Sequence, residues 1–231
     1  MPTRFCLGGV AALLLLLLNG CGHTSSVTAP QHGAGPLREA TAETSSFRCN
    51  LLLGVAATSE WFEAGFERVV DDKRWESITK PHTSIEQWGD PQDSVWSLAP
   101  NSACTEGASS PERVLFTAMN WEYTSKSEWE AGLDNVVRAI RAHFPSVHTI
   151  ALLSMIRAPG NVSCGNAMSV VAPFVDEAIG AVAAKSPKQV RVGPKFEALN
   201  CEMFKNGGPH FTESGRQIIA QQLGEYFAHE P

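Results

Sequence analysis

The sequence predicts an α/β fold, a three-layer α/β/α sandwich built on a mostly parallel sheet. Short apolar runs alternate along the chain with longer segments of helical period. The apolar runs are continuous rather than alternating, which is typical of strands covered on both faces. Strands that alternate with helices of this length indicate a βαβ series, and a sheet between two helical layers follows from it.

Four apolar runs are the clearest strand candidates: Cys49–Gly54, Arg113–Met119, Val147–Met155 and Gln189–Phe196. The segment Trp75–Glu106 is rich in tryptophan and proline, and we expect one short strand there, followed by a long loop. Loops of that length in a compact domain are often functional, and the tryptophans argue against disorder.

Four segments have helical periodicity, and the first, Ser59–Val70, follows the first strand directly. The second, Ser127–Phe144, opens with its serine and Glu130 in the S-x-x-E pattern of a capping box, which predicts its N-terminus. A third apolar stripe covers residues 171–182, and an amphipathic helix is expected after Thr212.

Residues 1–20 have the features of a signal peptide. A basic residue, Arg4, precedes the apolar run Val10–Leu18, which is too short to span a bilayer. The run is followed by Asn19-Gly20-Cys21, which resembles the lipobox of bacterial lipoproteins, where the cysteine is lipidated and becomes the mature N-terminus. Lipid on Cys21 predicts a membrane partner and a lipid-anchored cell-envelope protein, on the periplasmic or outer-membrane side. An ordinary secretory signal that happens to contain Cys21 is the alternative.

Residues 21–46 are rich in Ser, Thr, Ala, Gly and Pro and contain no aromatic residue. Such a segment cannot bury enough apolar surface to fold. We therefore expect a flexible tether with a reach of about 25–30 Å. Residues 47–231 then form one α/β domain that is large enough for a complete hydrophobic core.

The formal net charge is −6 and no Lys/Arg cluster occurs, which excludes nucleic acid as a partner. The domain has four cysteines, and an even number in an exported chain predicts two disulfides. In the expected sheet, Cys49 and Cys104 lie at the amino edge and Cys164 and Cys201 at the carboxyl edge. This predicts the pairs Cys49–Cys104 and Cys164–Cys201. The CxxC pairs of zinc sites are missing, so neither a metal nor a cofactor is expected.

Ligands of open α/β sheets bind beyond the carboxyl ends of the strands. Three segments are expected to converge there: Gly54–Ser59, Met119–Trp121 and Asn206–Thr212. In the last of them, glycines precede His210 and a helix follows it, an arrangement that holds an imidazole at the sheet edge. The alternative is an ordinary loop histidine.

The order and spacing of these segments resemble the SGNH/GDSL hydrolase family over residues 47–228. In that family a strand ends in Gly-Asp-Ser, a glycine and an asparagine complete the oxyanion hole, and an Asp-x-x-His block precedes the last helix. Here Gly54, Asn120 and the block GGPHFTESG with His210 match, and Gly89 is the candidate for the second-block glycine. The resemblance implies an SGNH-hydrolase-like fold and a serine-type carboxylic ester hydrolase.

The chain departs from this pattern at the residues that carry the chemistry. Val55 and Ala56 stand at the Asp-Ser positions, and Gly207 stands where the acid that orients the histidine is expected. The nucleophile and the orienting acid are therefore missing, while the base His210 and the oxyanion donor Asn120 are present. Loss of the nucleophile costs about six orders of magnitude in turnover, and loss of the orienting acid about four.

Thr58 and Ser59 have two interpretations, as N-caps of the next helix or as a displaced nucleophile that faces His210. Glu60 could enter the pocket as an acid/base group. Glu202 or Asn206 could replace the missing orienting acid.

Aromatic residues near the same edge suggest a binding surface. Trp61, Trp88, Trp96 and Trp121 could stack on a sugar or an apolar ligand, although packing in the core is the ordinary role of tryptophan. His82 has the same two interpretations, as a residue of the cleft or of a surface loop.

Two functional interpretations follow. In the first, a lipoprotein with a pseudoenzyme-like SGNH domain binds or processes an ester- or glycan-bearing envelope molecule. In the second, the chain is an active acyl or acetyl esterase that uses Ser59 or Thr58 with His210 and Asn120. A purely structural role, the third interpretation, predicts no cleft.

Overall fold

A computed structural model of the chain describes residues 47–70, 74–98, 104, 110–165, 169–206 and 208–229. The predicted signal peptide (1–20), the predicted tether (21–46) and Cys21 lie outside these residues. No helix in the described ranges is both long enough and apolar enough to cross a membrane.

Five strands form one sheet, and every neighbouring pair is parallel. The spatial order is β2-β1-β3-β4-β5. The strands are β1 Asn50–Gly54, β2 Trp75–Thr79, β3 Arg113–Thr117, β4 Thr149–Leu153 and β5 Val190–Val192. This order is a doubly wound arrangement whose direction reverses next to β1, where such sheets bind ligands. The predicted α/β class with a parallel sheet is confirmed.

Helices cover both faces of the sheet. They are α1 Ala56–Trp61, α2 Glu67–Val69, α3 Ile85–Gly89, α4 Lys126–His143, α5 Pro173–Lys185 and α6 Glu213–His229, and a π-helical turn at Phe62–Phe66 joins α1 to α2. One face carries Leu51 and Phe116 against α3, α4 and α5. The other face carries Leu52 and Leu115 against the α1–α2 segment and α6. Burial on both faces explains why the strands are continuously apolar.

Two helix starts differ from the sequence prediction. The capping box of α4 is formed by Ser125 and Glu128, not by Ser127 and Glu130, because Glu128 accepts the backbone N–H groups of Thr124 and Ser125, both at 2.9 Å. Helix α1 begins at Ala56, three residues earlier than predicted, and Val55 is its N-cap. Thr58 and Ser59 therefore lie inside the helix, and their interpretation as N-caps is wrong.

The segment after β2 is more ordered than the predicted loop. It contains α3 and a 3-10 turn at Ser94–Ser97. Trp88 is buried in the core and packs edge-on against Trp96, with ring centroids 5.3 Å apart. Trp96 in turn stacks on His143 at 4.4 Å. These two tryptophans therefore pack the α3 side of the core rather than a ligand cleft.

Both disulfides have the predicted pairing, Cys49–Cys104 and Cys164–Cys201. Such bonds persist in oxidising compartments, so the domain belongs to an extracellular or periplasmic setting.

Candidate active-site cleft

Four loops meet at the carboxyl edge of the sheet around the reversal point. The elbow after β1, the loops that follow β2 and β3, and the loop before α6 line one cavity of about 220 Å³. We call it the histidine cavity, and its walls include Ala56, His82, Met119, Trp121 and His210. The three segments that the sequence placed at one edge therefore converge there.

His210 is held by a carboxylate that the motif did not identify. Its Nδ1 lies 2.6 Å from Oε1 of Glu60 in α1, and Oε2 of the same carboxylate accepts the backbone N–H of Phe211 at 3.0 Å. An ionised carboxylate only accepts hydrogen bonds, so this contact places a proton on Nδ1, and in the neutral form of the imidazole Nε2 is then the acceptor nitrogen. Glu60, rather than Glu202 or Asn206, thus occupies the position of the orienting acid.

The imidazole is open to the cleft. The His210 side chain is 49% exposed, while Glu60 is largely buried beneath it at 20%. Gly207, which stands at the family's acid position, lies outside the described residues. A histidine that acts as a base needs a fixed tautomer and a fixed orientation. A partly buried carboxylate that contacts the ring from behind supplies both.

No hydroxyl group stands opposite this histidine at the elbow. Ala56, where the resemblance implies the family's serine, presents only a methyl group. Ser59 Oγ donates to the backbone carbonyl of Ala56 at 2.8 Å and is not part of the histidine cavity. Thr58 is 1% exposed, and its hydroxyl lies against Gly54, where an added Cβ would be 2.5 Å away. The structure does not bring Ser59 or Thr58 to His210.

A narrow second cavity, which we call the apolar cavity, adjoins the histidine cavity. The two share Val55, Ala57, Met119 and Pro209 in their walls. Its free volume is about 30 Å³, and its lining includes Thr58, Trp61, Leu153 and Phe211. A space of this size holds a water molecule or a methyl-sized group. Trp61 therefore reaches the cleft, as a wall of this apolar cavity.

Asn120, the predicted oxyanion donor, uses its amide within the protein. Its Nδ2 donates to both carboxylate oxygens of Glu86, at 2.8 and 2.7 Å. Its Oδ1 accepts the backbone N–H groups of Glu122 and Tyr123, at 2.6 and 2.8 Å. The side chain thus closes the turn after β3 and points its donor at Glu86 rather than at a bound oxyanion.

The group of side chains around Asn120 has shifted acidities. Burial alone would raise the pKa of Glu86, but hydrogen bonds from Ser84, from the backbone of Glu86 itself, from Tyr123 and from Asn120 lower it overall. Burial, together with the hydrogen bond and charge of Glu86, raises the pKa of Tyr123 to about 12. At neutral pH the Glu86 carboxylate therefore accepts hydrogen bonds from the neutral phenol of Tyr123 and from the Asn120 amide. These bonds keep the turn rigid.

The two expected glycines have different positions. Gly54 ends β1 at the cleft, where its missing side chain leaves room for Thr58. Gly89 packs α3 onto α4, since an added Cβ would lie 2.9 Å from Cβ of Asn135. Gly89 is not part of the histidine cavity. Its predicted place in the cleft is therefore wrong. The place after β2 is taken by His82.

The sequence left two interpretations of His82, and the structure places it in the cleft. It lies in the loop after β2 and lines the histidine cavity together with His210. Its φ of 59° is in the left-handed region, which a residue with a side chain occupies only at a cost in conformational energy. The signal available in the sequence was its position three residues after a strand end, where ligand-binding loops begin.

Potential metal ligands do not gather in the cleft. In the part of the chain that the structure describes, the one such grouping is Cys49, Glu76 and Cys104. Its two sulfur atoms form a disulfide and are not available as thiolates.

The sheet order, the elbow after β1 and the histidine loop before α6 form a doubly wound α/β fold, with its segments in the order that the SGNH/GDSL resemblance implies. No family model matches the sequence, and no curated protein matches it. Among solved structures, the chain is similar to the periplasmic domain of a lipopolysaccharide acetyltransferase of Salmonella ser. Paratyphi A, with a TM-score of 0.43 and 12% identity over 77% of this chain and 83% of that one. It is also similar to a carbohydrate esterase family 3 protein of Talaromyces cellulolyticus, with a TM-score of 0.40 and 17% identity over 78% and 96%.

Proposed function

We propose that this chain is a lipid-anchored cell-envelope protein whose SGNH-hydrolase-like domain binds an ester-bearing envelope molecule without forming a covalent intermediate. The observation that carries this proposal is the Glu60–His210 pair beside Ala56. The imidazole is oriented in an open cavity, and the two hydroxyl side chains among the described residues of that cavity, Thr83 and Ser84, are hydrogen-bonded to the Lys80 carbonyl and to Glu86.

The two adjoining cavities suit an ester with a short acyl group. The methyl group of an acetyl ester matches the narrow apolar cavity, whose walls include Leu153 and Phe211. The ester and its alcohol part then lie in the larger histidine cavity, within reach of His82 and His210. Burial of a methyl group contributes about 0.8 kcal/mol, and a hydrogen bond about 1 kcal/mol more. Binding through such groups is weak unless the rest of the molecule adds contacts.

The proposed anchor is lipid on Cys21, followed by the tether of residues 21–46. The lipobox-like sequence and the two disulfides of the domain support export. Metabolic labelling with an alkyne fatty acid tests the anchor: label on the native chain and none on Cys21→Ala is the expected result. Equal labelling of both, or of neither, would overturn it.

A second candidate function is slow ester hydrolysis with water as the nucleophile, and the 2.6 Å contact of Glu60 with His210 favours it. His210 Nε2 would take a proton from water while the hydroxide oxygen bonds to the acyl carbon. The bond from that carbon to the alcohol oxygen then breaks, and the proton passes from Nε2 to the alcohol. The version with Ser59 or Thr58 as nucleophile lacks the contact with His210 on which it depends.

One titration separates these functions. Glycerol triacetate is added to the purified full chain while the imidazole signals of the seven histidines are followed by NMR, with His210→Gln to assign one of them. The proposal predicts a saturable shift of the His210 signals, unchanged His148 signals and no acetate release. Acetate release that is lost in Glu60→Gln would establish the second candidate. Unchanged His210 signals without acetate release would overturn both.

The displaced-nucleophile version has its own test. A fluorophosphonate probe labels activated serines and threonines, and mapping by mass spectrometry finds the labelled residue. We expect no label on the folded native chain. A label on Ser59 or Thr58 that disappears in His210→Ala would overturn the proposal in favour of a serine-type hydrolase.

A further inference from the structure

We infer that the Cys164–Cys201 disulfide is a redox-sensitive brace for His210. The bond joins the loop after β4 to residues 201–205, which we call the brace segment. A dithiol that reduces this bond loosens the brace segment and, with it, the histidine loop that is paired to it. This inference goes beyond the proposed function, because it applies to any ligand that His210 contacts.

The loop after β4 is a fixed base for the bond. The Asn161 side chain donates to the carbonyl of Val171 at 2.7 Å and accepts the N–H of the same residue at 2.8 Å. The N–H of Cys164 donates to Oγ of Ser169 at 3.1 Å. Ser169 and Val171 are buried, at 0% and 6% exposure, just before α5. Cys164 is therefore anchored to the body of the domain.

The brace segment begins at the second cysteine and pairs with the histidine loop. The N–H of Thr212 donates to the carbonyl of Met203 at 2.9 Å, and the N–H of Lys205 donates to the carbonyl of His210 at 2.9 Å. The backbone of His210 is thus bonded directly to the segment that the disulfide holds.

The orientation of the imidazole depends on where this backbone lies. Glu60 contacts Nδ1 of His210 at 2.6 Å and accepts the N–H of Phe211 at 3.0 Å, so the ring is aligned only while the histidine loop stays close to α1. A displacement of about 1 Å along either contact lengthens it beyond hydrogen-bond distance. Loss of the brace therefore lowers the fraction of molecules in which His210 is oriented.

The two disulfides differ in how easily a thiolate reaches them. Cys201 is exposed and Cys164 is half-buried. In the other bond, Cys49 is 1% exposed and Cys104 is half-buried. Thiol–disulfide exchange requires a thiolate to approach a sulfur atom, and exposed disulfides are the labile ones. The Cys164–Cys201 bond is therefore the one that a dithiol reduces first.

The reduction is an exchange in two steps. A thiolate of the dithiol attacks Sγ of Cys201, the bond to Cys164 breaks, and Cys164 leaves as a thiolate that takes up a proton. The second thiolate of the dithiol then attacks its own sulfur in the mixed disulfide and releases Cys201, which is protonated in turn. Two electrons pass to the protein, which gains two thiols, and the dithiol becomes a disulfide.

The first part of the test is graded reduction of the purified full chain with dithiothreitol. Free thiols are alkylated with iodoacetamide and mapped by mass spectrometry. We expect Cys164 and Cys201 to be alkylated at a dithiothreitol concentration at least tenfold lower than Cys49 and Cys104 require.

Amide hydrogen exchange measured by NMR then reports how firmly the histidine loop is held. The N–H of Phe211, which donates to Glu60, is expected to exchange at least fivefold faster once Cys164–Cys201 alone is reduced. The N–H of Leu115, in the central strand β3, is the internal control and should be unchanged. The double variant Cys164→Ser/Cys201→Ser should show the same fast exchange without dithiothreitol and no further change with it.

Far-UV circular dichroism identifies the samples that remain folded, and the selectively reduced native chain decides the matter if the double variant does not fold. Reduction of both disulfides at the same dithiothreitol concentration would overturn the inference. Unchanged exchange of Phe211 in the folded, selectively reduced chain would overturn it as well. A His210 signal of the oxidised chain that still shifts with glycerol triacetate in those cases would show that the proposed function stands without the brace.

Discussion

Glu60 and His210 are 150 residues apart in the chain, yet Oε1 of the carboxylate lies 2.6 Å from Nδ1 of the imidazole. The acid that orients the histidine therefore comes from the first helix and not from the histidine's own loop. The same carboxylate accepts the backbone N–H of Phe211, so it fixes both the ring and the backbone beside it. Ala56 lines the same cavity as this histidine.

We predict that Ala56→Ser creates an activated nucleophile. Ala56 is at the elbow position and lines the cavity that contains His210, so a serine hydroxyl there is placed to donate to Nε2. The expected result is fluorophosphonate labelling at residue 56 where the native chain shows none. Ala57→Ser, on the next residue of the same cavity, is the matched control and should stay unlabelled. Equal labelling of the two variants would show that the elbow does not select the position.

Glu60 acts in that variant as a positioning residue. We predict that Glu60→Gln in the Ala56→Ser background slows labelling roughly 10²- to 10⁴-fold, because the tautomer and orientation of His210 are no longer fixed by a carboxylate. Glu202→Gln is the control, since Glu202 is exposed and does not hold His210. Labelling rates measured between pH 6 and 9 give a second readout, because removing the carboxylate that contacts His210 changes how the rate depends on pH, whereas Glu202→Gln should leave that dependence unchanged. An equal effect of both variants would contradict the assignment.

The sequence predicted the sheet better than it predicted the site. Continuous apolar runs determine strands such as β1 and β3, and the positions of cysteines on a parallel sheet determined both disulfide pairs. The start of α1 was predicted three residues late because polar residues such as Ser59 favour N-caps, whereas Val55 takes that position here.

The central contact of the site could not be predicted from the sequence. Glu60 was one of several acids near the elbow, and its pairing depends on the helical register of α1 and on how α6 packs beside it. The family motif places the orienting acid at the position of Gly207 instead. Asn120 was placed correctly at the strand end, but its donor is directed at Glu86, a residue of another helix.

Replacing Thr58 tests whether its buried hydroxyl group has a hydrogen-bond partner, and Thr83 is the comparison. Thr58 Oγ1 is buried and has no hydrogen-bond partner among the described residues, so Thr58→Val is expected to raise the free energy of unfolding by about 1 kcal/mol. Thr83 Oγ1 donates to the Lys80 carbonyl and accepts from Trp88 Nε1, so Thr83→Val is expected to lower it by roughly 2 kcal/mol. Urea unfolding measures both. A destabilised Thr58→Val would mean that its hydroxyl has a partner and is in use.

The phenol of Tyr123 reports the rigidity of the Asn120 turn. Burial and the neighbouring Glu86 raise its pKa to about 12, against about 10 for a tyrosine in an unfolded chain. The folded state thus holds the phenolic proton more tightly. The stability that this contributes is fully present below about pH 10 and is lost as the pH rises through about 12.

The chain has two tyrosines, so Tyr226→Phe leaves Tyr123 as the one phenol to titrate. We predict that phenolate absorbance in this variant reaches half its final value near pH 12. Glu86→Gln in the same background should lower that midpoint, because the charge that opposes ionisation is gone, but keep it above about 10, because burial remains. Far-UV circular dichroism at each pH identifies the folded range. A midpoint near pH 10 in folded Tyr226→Phe would mean that the phenol is free of Glu86 and that the turn carrying Trp121 is open.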